Sequence, residues 1–229
     1  MNYFNIVQVR IALLALFKAK EKDIVSATKF KEAILYLENF HFAYNSIATG
    51  RASRFEKIFS SFAISLKKCA SKTAAHKTID DLLIKPLDKL FPDYQTFSKR
   101  FIELTFSKKD HPNNVKTKYV IQKINSFYEK LDTFSEAGTI EHILSETKGA
   151  ESLNIGNLIL LEGPLNGEAG DGIYKEKKKI YLKSSYKWIR DFVEEFENWE
   201  TANITSRAKK LSKFYYTEIL NKSTGKKNA

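Results

Sequence analysis

Residues 139–181 read TIEHILSETKGAESLNIGNLILLEGPLNGEAGDGIYKEKKKIY and contain the pattern that decides the fold. Residues 139–144 form an apolar, β-prone run, and residues 158–161, LILL, form a second one. Residues 163–167, GPLNG, are rich in turn formers, and residues 174–181, YKEKKKIY, begin a basic helix. The order of strand, loop, strand, polar turn and helix predicts a β-hairpin that is followed by a helix.

Four polar side chains of this stretch can converge on one small site when the hairpin and the helix pack together. They are Glu141, His142, Asn166 and Lys177. Side chains alternate along a regular strand, so Glu141 and His142 are expected to point to opposite sides. A Glu-His pair, an Asn-Gly turn and a lysine-rich helix each occur often by chance. The prediction therefore depends on the four residues in combination.

The same stretch resembles a known family through a longer ordered pattern. The pattern comprises Glu141-His142-Ile143, Gly156-Asn157-Leu158-Ile159-Leu160-Leu161, Asn166, Tyr174-x-x-Lys177-x-x-x-Tyr181, Trp199 and Ile204-x-x-Arg207. In this order the residues resemble the nuclease domain of the GmrSD-type (type IV) restriction family, which has the ββα-metal, or HNH, nuclease fold. The resemblance is specific from about residue 139 to about residue 216.

Apolar residues recur at three- and four-residue spacing through residues 1–134, which predicts a helical connector or recognition domain. The first stripe, expected to be a buried helix face, comprises Phe4, Val7, Ile11, Leu14 and Phe17. Later stripes begin at Phe30 and Phe55, and Pro86 is expected to kink or split a helix. The predicted architecture is mainly α, with an HNH-like hairpin-helix module and C-terminal helices in residues 135–229.

The resemblance also implies roles for individual residues in a metal-dependent phosphodiester hydrolase. His142 is expected to act as the general base for water, since its ordinary pKa of about 6.5 suits proton uptake at neutral pH. Glu141 and Asn166 are expected to hold Mg²⁺ or Mn²⁺. Asn157 is expected to fix His142 through the loop backbone, and Lys177 to stabilise charge on the phosphate. The lysines expected to bind the nucleic-acid backbone are Lys175, Lys178 and Lys179.

Two departures from the family pattern stand out. The family usually has a proline three residues after the histidine, where this chain has Ser145, which changes the exit from the first strand but removes no ligand. Family members also usually carry a preceding NTPase-like half, of which this sequence shows no trace. The chain is therefore expected to correspond to the C-terminal half, with an NTPase-like restriction subunit or domain as a partner.

The composition indicates which cellular compartment and which classes of partner to expect. A formal net charge of +11 favours a polyanionic partner, either nucleic acid or an anionic membrane surface, although lysine-rich chains also arise in AT-rich genomes without that purpose. A single cysteine, Cys69, excludes an intrachain disulfide and a multi-cysteine zinc site. This cysteine content fits a reducing compartment, so a cytoplasmic location is expected. No run of eighteen apolar residues occurs, so no membrane-spanning segment is expected, and a membrane is not among the predicted partners.

The sequence predicts a metal-dependent DNA endonuclease of the HNH type, in restriction or antiviral defence. The alternative is a non-catalytic DNA-binding or partner-docking subunit that keeps the hairpin as a scaffold. A third possibility is a toxin-like nuclease directed at RNA. Metal-dependent turnover separates the first from the second, and matched DNA and RNA substrates separate the third.

Overall fold

The computed structural model describes residues 7–111, 114–131 and 135–225. The chain divides into two compact units, residues 1–93 and residues 94–229. Both are built mainly of helices, and the named strands of the described residues form one two-stranded sheet in the second unit. The prediction of a mainly α chain is therefore confirmed. None of the helices in the described residues has both the length and the apolar composition that a membrane span requires.

The first unit is an assembly of helices with two π-helical extensions. Its α-helices, α1 to α5, span Val9–Glu21, Ala27–His41, Glu56–Lys67, Lys72–Ile79 and Lys85–Leu90. The π-helical segments Phe42–Ile47 and Asp80–Ile84 continue α2 and α4. Ser26 caps α2 by accepting a hydrogen bond from the backbone N–H of Lys29. Pro86 lies in the first turn of α5, so the chain stays helical there instead of breaking.

The buried face of α1 differs from the predicted one. The buried residues of α1 are Ala12, Leu16 and Ala19. The residues that were expected inside and are exposed are Val7, Ile11, Leu14 and Phe17. Phe4, the remaining member of that stripe, lies outside the described residues. The prediction was wrong because α1 carries two apolar stripes with helical spacing, and the stripe with the smaller side chains packs inward.

The two later stripes of the first unit are confirmed. Ala33, Leu37 and Phe40 of α2 are buried, as are Phe59 and Phe62 of α3. The Phe40 ring lies edge-on to the ring of Phe55, with 5.6 Å between their centroids. Large aromatic side chains therefore form the core of this unit.

The second unit combines helices with the predicted hairpin. Its α-helices, α6 to α11, span Tyr94–Phe101, Val115–Tyr128, Gly163–Ala169, Tyr174–Tyr181, Lys187–Glu195 and Thr201–Phe214. A π-helical segment, Tyr215–Ile219, extends α11. The functional boundary expected after residue 134 stays a prediction. The compact units divide earlier, after Asp93, because α6 packs against α11 and α7 packs against the hairpin.

The hairpin consists of β1, Thr139–His142, and β2, Leu158–Leu161, in antiparallel pairing. Glu141 lies opposite Ile159, and His142 lies opposite Leu158. All four residues of β2 are buried, which explains its uninterrupted apolar sequence. The predicted strands are confirmed.

The segment that the sequence predicts as a polar turn is a short helix, α8, Gly163–Ala169. Pro164 fits its first turn, where a backbone N–H has no helical partner. Gly170 ends the helix with a positive φ of 47°, a conformation that favours glycine. The turn prediction failed because this Gly-Pro pair starts a helix here. As a result, Asn166 lies on a helix and not on a loop.

Candidate active site

A cavity of about 330 Å³ lies beside the hairpin in the second unit. Its lining includes the four side chains that were expected to converge, which are Glu141, His142, Asn166 and Lys177. Four further polar residues that line it are Lys108, Ser145, Glu146 and Asp171. The structure thus brings the four side chains together, whereas their chemical roles stay predictions.

Two side chains of α9 bind the carboxylate of Glu141. Its carboxylate oxygen Oε1 accepts hydrogen bonds from Lys177 Nζ at 2.8 Å and from the Tyr181 hydroxyl at 2.9 Å. Burial raises the pKa of Tyr181 well above its ordinary value, and the neighbouring Glu141 raises it further, so the phenol stays protonated and donates. Because Oε1 has two donors, Oε2 is the oxygen of Glu141 that remains for other ligands.

Lys177 is buried and already has partners. Besides Glu141, its ammonium donates to the backbone carbonyl of His142 at 2.6 Å. Lys177 and Tyr181 are four residues apart, so they lie on the same face of α9 and reach the same carboxylate. The predicted contact of Lys177 with a phosphate stays untested, and the observed contacts favour a different role, which is to hold Glu141 in place.

His142 has a defined tautomer. Its Nε2 lies 2.9 Å from the carbonyl oxygen of Phe106, which can only accept, so Nε2 carries the proton of the neutral ring. Nδ1 makes no hydrogen bond within the described residues and is left as the proton acceptor. Burial lowers the pKa of His142, and the Phe106 carbonyl and Glu146 oppose that shift only in part. The imidazole is therefore neutral at pH 7.

Asn166 presents its amide oxygen to the cavity. Its Nδ2 donates to the Thr139 hydroxyl at 2.8 Å and to the Ile140 carbonyl at 3.0 Å. A carbonyl can only accept, so this pair of bonds fixes which end of the amide is the nitrogen. The oxygen of the amide, Oδ1, accepts a hydrogen bond from Lys108 Nζ at 3.1 Å. The helical position of Asn166 thus gives the cavity a fixed neutral oxygen.

Asn157 is fully buried and does not line the cavity. Its Nδ2 donates to the carbonyls of Leu144 and Ser152, each at 2.7 Å. Its Oδ1 accepts from the Leu144 backbone and from the Trp199 indole, each at 2.9 Å. The side chain therefore ties down the loop that leaves β1 immediately after His142. This is the loop contact that the sequence resemblance implied for it.

Arg207 of α11 holds the backbone on both sides of Asn157. Its Nη1 donates to the carbonyls of Gly156 and Leu158 at 2.8 Å and 2.9 Å. Burial lowers the pKa of Arg207 to about 10, so it is still charged at neutral pH. The rings that surround its guanidinium belong to Trp188, Phe192 and Trp199. Arg207 therefore stabilises the backbone that positions Asn157.

The three lysines expected to bind nucleic acid differ in availability. Lys175 and Lys179 are exposed and lie four residues apart on one face of α9. Lys178 is half-buried, and its ammonium donates to the Phe196 carbonyl and to Glu197. Two of the three are therefore accessible to a polyanion, and binding itself stays a prediction.

The cavity lining also contains residues to which the sequence assigned no role in the site, which are Lys108, Ser145, Glu146 and Asp171. Ser145 donates a hydrogen bond to Asp171 at 2.7 Å, so the loop that follows β1 is tied to the turn after α8 despite the missing proline. Glu146 accepts from the backbone N–H of Lys108 at 3.0 Å. Lys108 lies far upstream of the hairpin, and no local pattern marks it.

The oxygens of the cavity suit a hard divalent cation. Within the described residues no group of three or more His, Cys, Asp or Glu side chains is arranged to hold a metal ion. Mg²⁺, however, binds through one or two protein oxygens and keeps several waters or substrate oxygens. Glu141 and Asn166 each direct one such oxygen toward the Lys108 ammonium, so a cationic group already fits there. The donor set therefore fits Mg²⁺ or Mn²⁺.

Residues 91–214 match the family described as GmrSD restriction endonucleases, C-terminal domain, and this range is more than half of the chain. The chain belongs to the GmrSD C-terminal domain family. The GmrSD match includes the whole cavity lining as well as Asn157 and Arg207. Membership of this restriction endonuclease family supports a nuclease activity in defence, with DNA as the implied substrate. No curated protein matches the chain significantly.

Proposed function

We propose that the chain is a Mg²⁺- or Mn²⁺-dependent DNA endonuclease of the HNH (ββα-metal) type that acts in restriction or antiviral defence. The observation that carries this proposal is a neutral, oriented His142 in the same cavity as one oxygen of Glu141 and one of Asn166 that face the Lys108 ammonium. Hydrolysis of a phosphodiester requires a base for water and a cation on the phosphate. This cavity has candidates for both.

His142 supplies the base in this proposal. Its Nδ1 takes a proton from the attacking water, since Nε2 is committed to the Phe106 carbonyl. The imidazolium that forms keeps that hydrogen bond and has the Glu146 carboxylate 3.6 Å from Nε2. Because burial lowers the pKa of His142, the ring is unprotonated at neutral pH and its Nδ1 can accept a proton.

Glu141 and Asn166 would hold the divalent cation. The bound cation supplies charge stabilisation at the scissile phosphate. Lys177 and Tyr181 hold Glu141 through its other oxygen, so its orientation does not depend on substrate. Asn157 keeps the loop behind His142 in place. These contacts support a preorganised site.

DNA is the proposed substrate because the family implies it and because the chain carries an excess of positive charge. Lys175 and Lys179 are exposed on α9, the helix that also carries Lys177, and would contact the phosphate backbone. An NTPase-like restriction subunit or domain is proposed as the partner on the strength of the sequence resemblance alone.

A cleavage assay tests the proposal. Plasmid DNA and a matched RNA are incubated with the wild-type chain in Mg²⁺, in Mn²⁺ or in EDTA, beside His142→Ala and His111→Ala. His111 is exposed and does not line the cavity, so it provides a matched control. We expect metal-dependent DNA cleavage that survives in His111→Ala and falls by roughly 10²- to 10⁴-fold in His142→Ala. A wild-type rate in His142→Ala would refute the assignment.

The same assay, combined with DNA binding measured at low and high salt, separates the alternatives. Salt-sensitive DNA binding without metal-dependent cleavage would identify a non-catalytic DNA-binding or docking subunit. Cleavage of RNA alone would identify an RNA-directed nuclease.

A further inference from the structure

We propose that Lys108 competes with the divalent cation for the oxygens of Glu141 and Asn166, and so sets how tightly the site binds metal. The ammonium of Lys108 lies 3.1 Å from Asn166 Oδ1 and 4.0 Å from Glu141 Oε2. These are the two oxygens proposed as metal ligands, so this inference rests on the proposed function.

The backbone of Lys108 is fixed close to the site. Its N–H donates to Glu146 Oε2 at 3.0 Å. The residue two positions earlier, Phe106, accepts the hydrogen bond from His142. The Ser107 hydroxyl accepts from the backbones of Lys109 and Asp110, which closes the turn that follows. The Lys108 side chain therefore extends from a backbone segment, residues 106–110, that is held by hydrogen bonds.

The two oxygens cannot turn away from this ammonium. The nitrogen of the Asn166 amide is committed to Thr139 and Ile140, and the other oxygen of Glu141 is committed to Lys177 and Tyr181. A divalent cation on the same oxygens would therefore meet the Lys108 charge at close range, and like charges at a few ångströms repel strongly.

Lys108 has room to leave. Its side chain is 52% exposed, although its ammonium reaches inward, so the stem can swing toward solvent without unfolding the segment. Metal binding then requires this movement, and the energy of the lost Lys108 contacts is subtracted from the affinity for the cation. Lys177, the other lysine of the cavity, is buried and has no such path.

The test is the affinity for Mn²⁺, measured by titration calorimetry on the whole chain at fixed salt without DNA. Lys108→Met is compared with wild type and with Lys109→Met. Lys109 is the adjacent lysine and does not line this cavity, so it controls for net charge. We expect Lys108→Met to bind Mn²⁺ about tenfold more tightly than wild type. Lys109→Met should stay within about twofold of wild type, because salt screens its more distant charge.

A second readout is thermal stability, because metal that binds only the folded chain raises the melting temperature. We expect Mn²⁺ to raise the melting temperature of Lys108→Met more than that of wild type. Equal Mn²⁺ affinity in wild type and Lys108→Met, or equal tightening in Lys109→Met, would overturn the inference.

Glu141→Gln separates this inference from the proposed function. Because Glu141 also pairs with the buried Lys177, thermal melting must first show that Glu141→Gln is folded. Loss of Mn²⁺ binding in this folded variant together with unchanged affinity in Lys108→Met would refute only the role of Lys108. Mn²⁺ binding that does not respond to Glu141→Gln would refute the proposed metal site and this inference together.

Discussion

Lys177 donates a hydrogen bond to Glu141 across the cavity wall, with 2.8 Å between Nζ and Oε1, and both side chains are almost completely buried. Replacing such a pair as a whole can be neutral, but removal of one partner leaves a buried charge without compensation. The pair therefore makes the geometry of the site depend on the integrity of α9.

The first prediction concerns this pair. Lys177→Met should lower the free energy of unfolding by about 3–5 kcal/mol, because Glu141 then keeps only Tyr181 as a donor. Urea denaturation measures the change. Lys179→Met on the same helix is exposed and should change the free energy by no more than about 0.5 kcal/mol. Equal stability of the two variants would show that the buried pair does not hold α9 to the hairpin.

The second prediction concerns Asn157. Asn157→Ala should destabilise the chain by about 3 kcal/mol, because it leaves buried groups of Leu144, Ser152 and Trp199 without their partner. Cleavage should fall as well, since the loop after His142 loses its anchor. Denaturation and DNA cleavage measured on the same preparation check this. Normal stability and normal cleavage in Asn157→Ala would contradict the assigned positioning role.

The third prediction concerns Gly156, which allows the loop to contact α11. A Cβ atom there would lie 2.0 Å from the carbonyl oxygen of Ile204, a backbone atom that cannot move aside cheaply. Gly156→Ala should therefore cost about 3 kcal/mol or more, or prevent folding. Gly163→Ala, where a Cβ meets nothing within 4 Å, should fold normally in the same expression and denaturation experiment. A stable Gly156→Ala would mean that this contact is looser than the structure has it.

The fourth prediction concerns pH and His41 in the first unit. His41 Nδ1 lies 2.8 Å from Asn45 Oδ1, while the buried Nε2 has no partner within the described residues. Burial lowers the pKa of His41, and the Asn45 contact opposes this only in part. The unfolded chain therefore binds a proton more readily than the folded chain, so stability is full above about pH 6.5 and falls as the pH decreases below it.

Urea denaturation at pH 7.5 and pH 5 should show this loss. His41→Phe should reduce the difference between the two pH values, because the substituted side chain does not titrate. An unchanged difference would assign the pH dependence to other groups.

The hairpin and the convergence of Glu141, His142 and Asn166 were predictable because they follow from the order of short segments along the chain. The buried face of α1 was not, since two apolar stripes share that helix and only packing selects between them. The helix around Asn166 was missed because Gly163 and Pro164 suit a turn and a helix start equally well. Lys108 was missed because its position depends on a long-range contact with Glu146.

The dependence of the DNA cleavage rate on Mn²⁺ concentration tests the central claim most directly. In wild type the rate should saturate with metal. Glu141→Gln should require much more Mn²⁺ for the same rate, because a ligand is lost, whereas His142→Ala should keep the metal requirement and lose the maximal rate. A His142→Ala variant that reaches the wild-type maximal rate, or a Glu141→Gln variant with an unchanged metal requirement, would contradict the account.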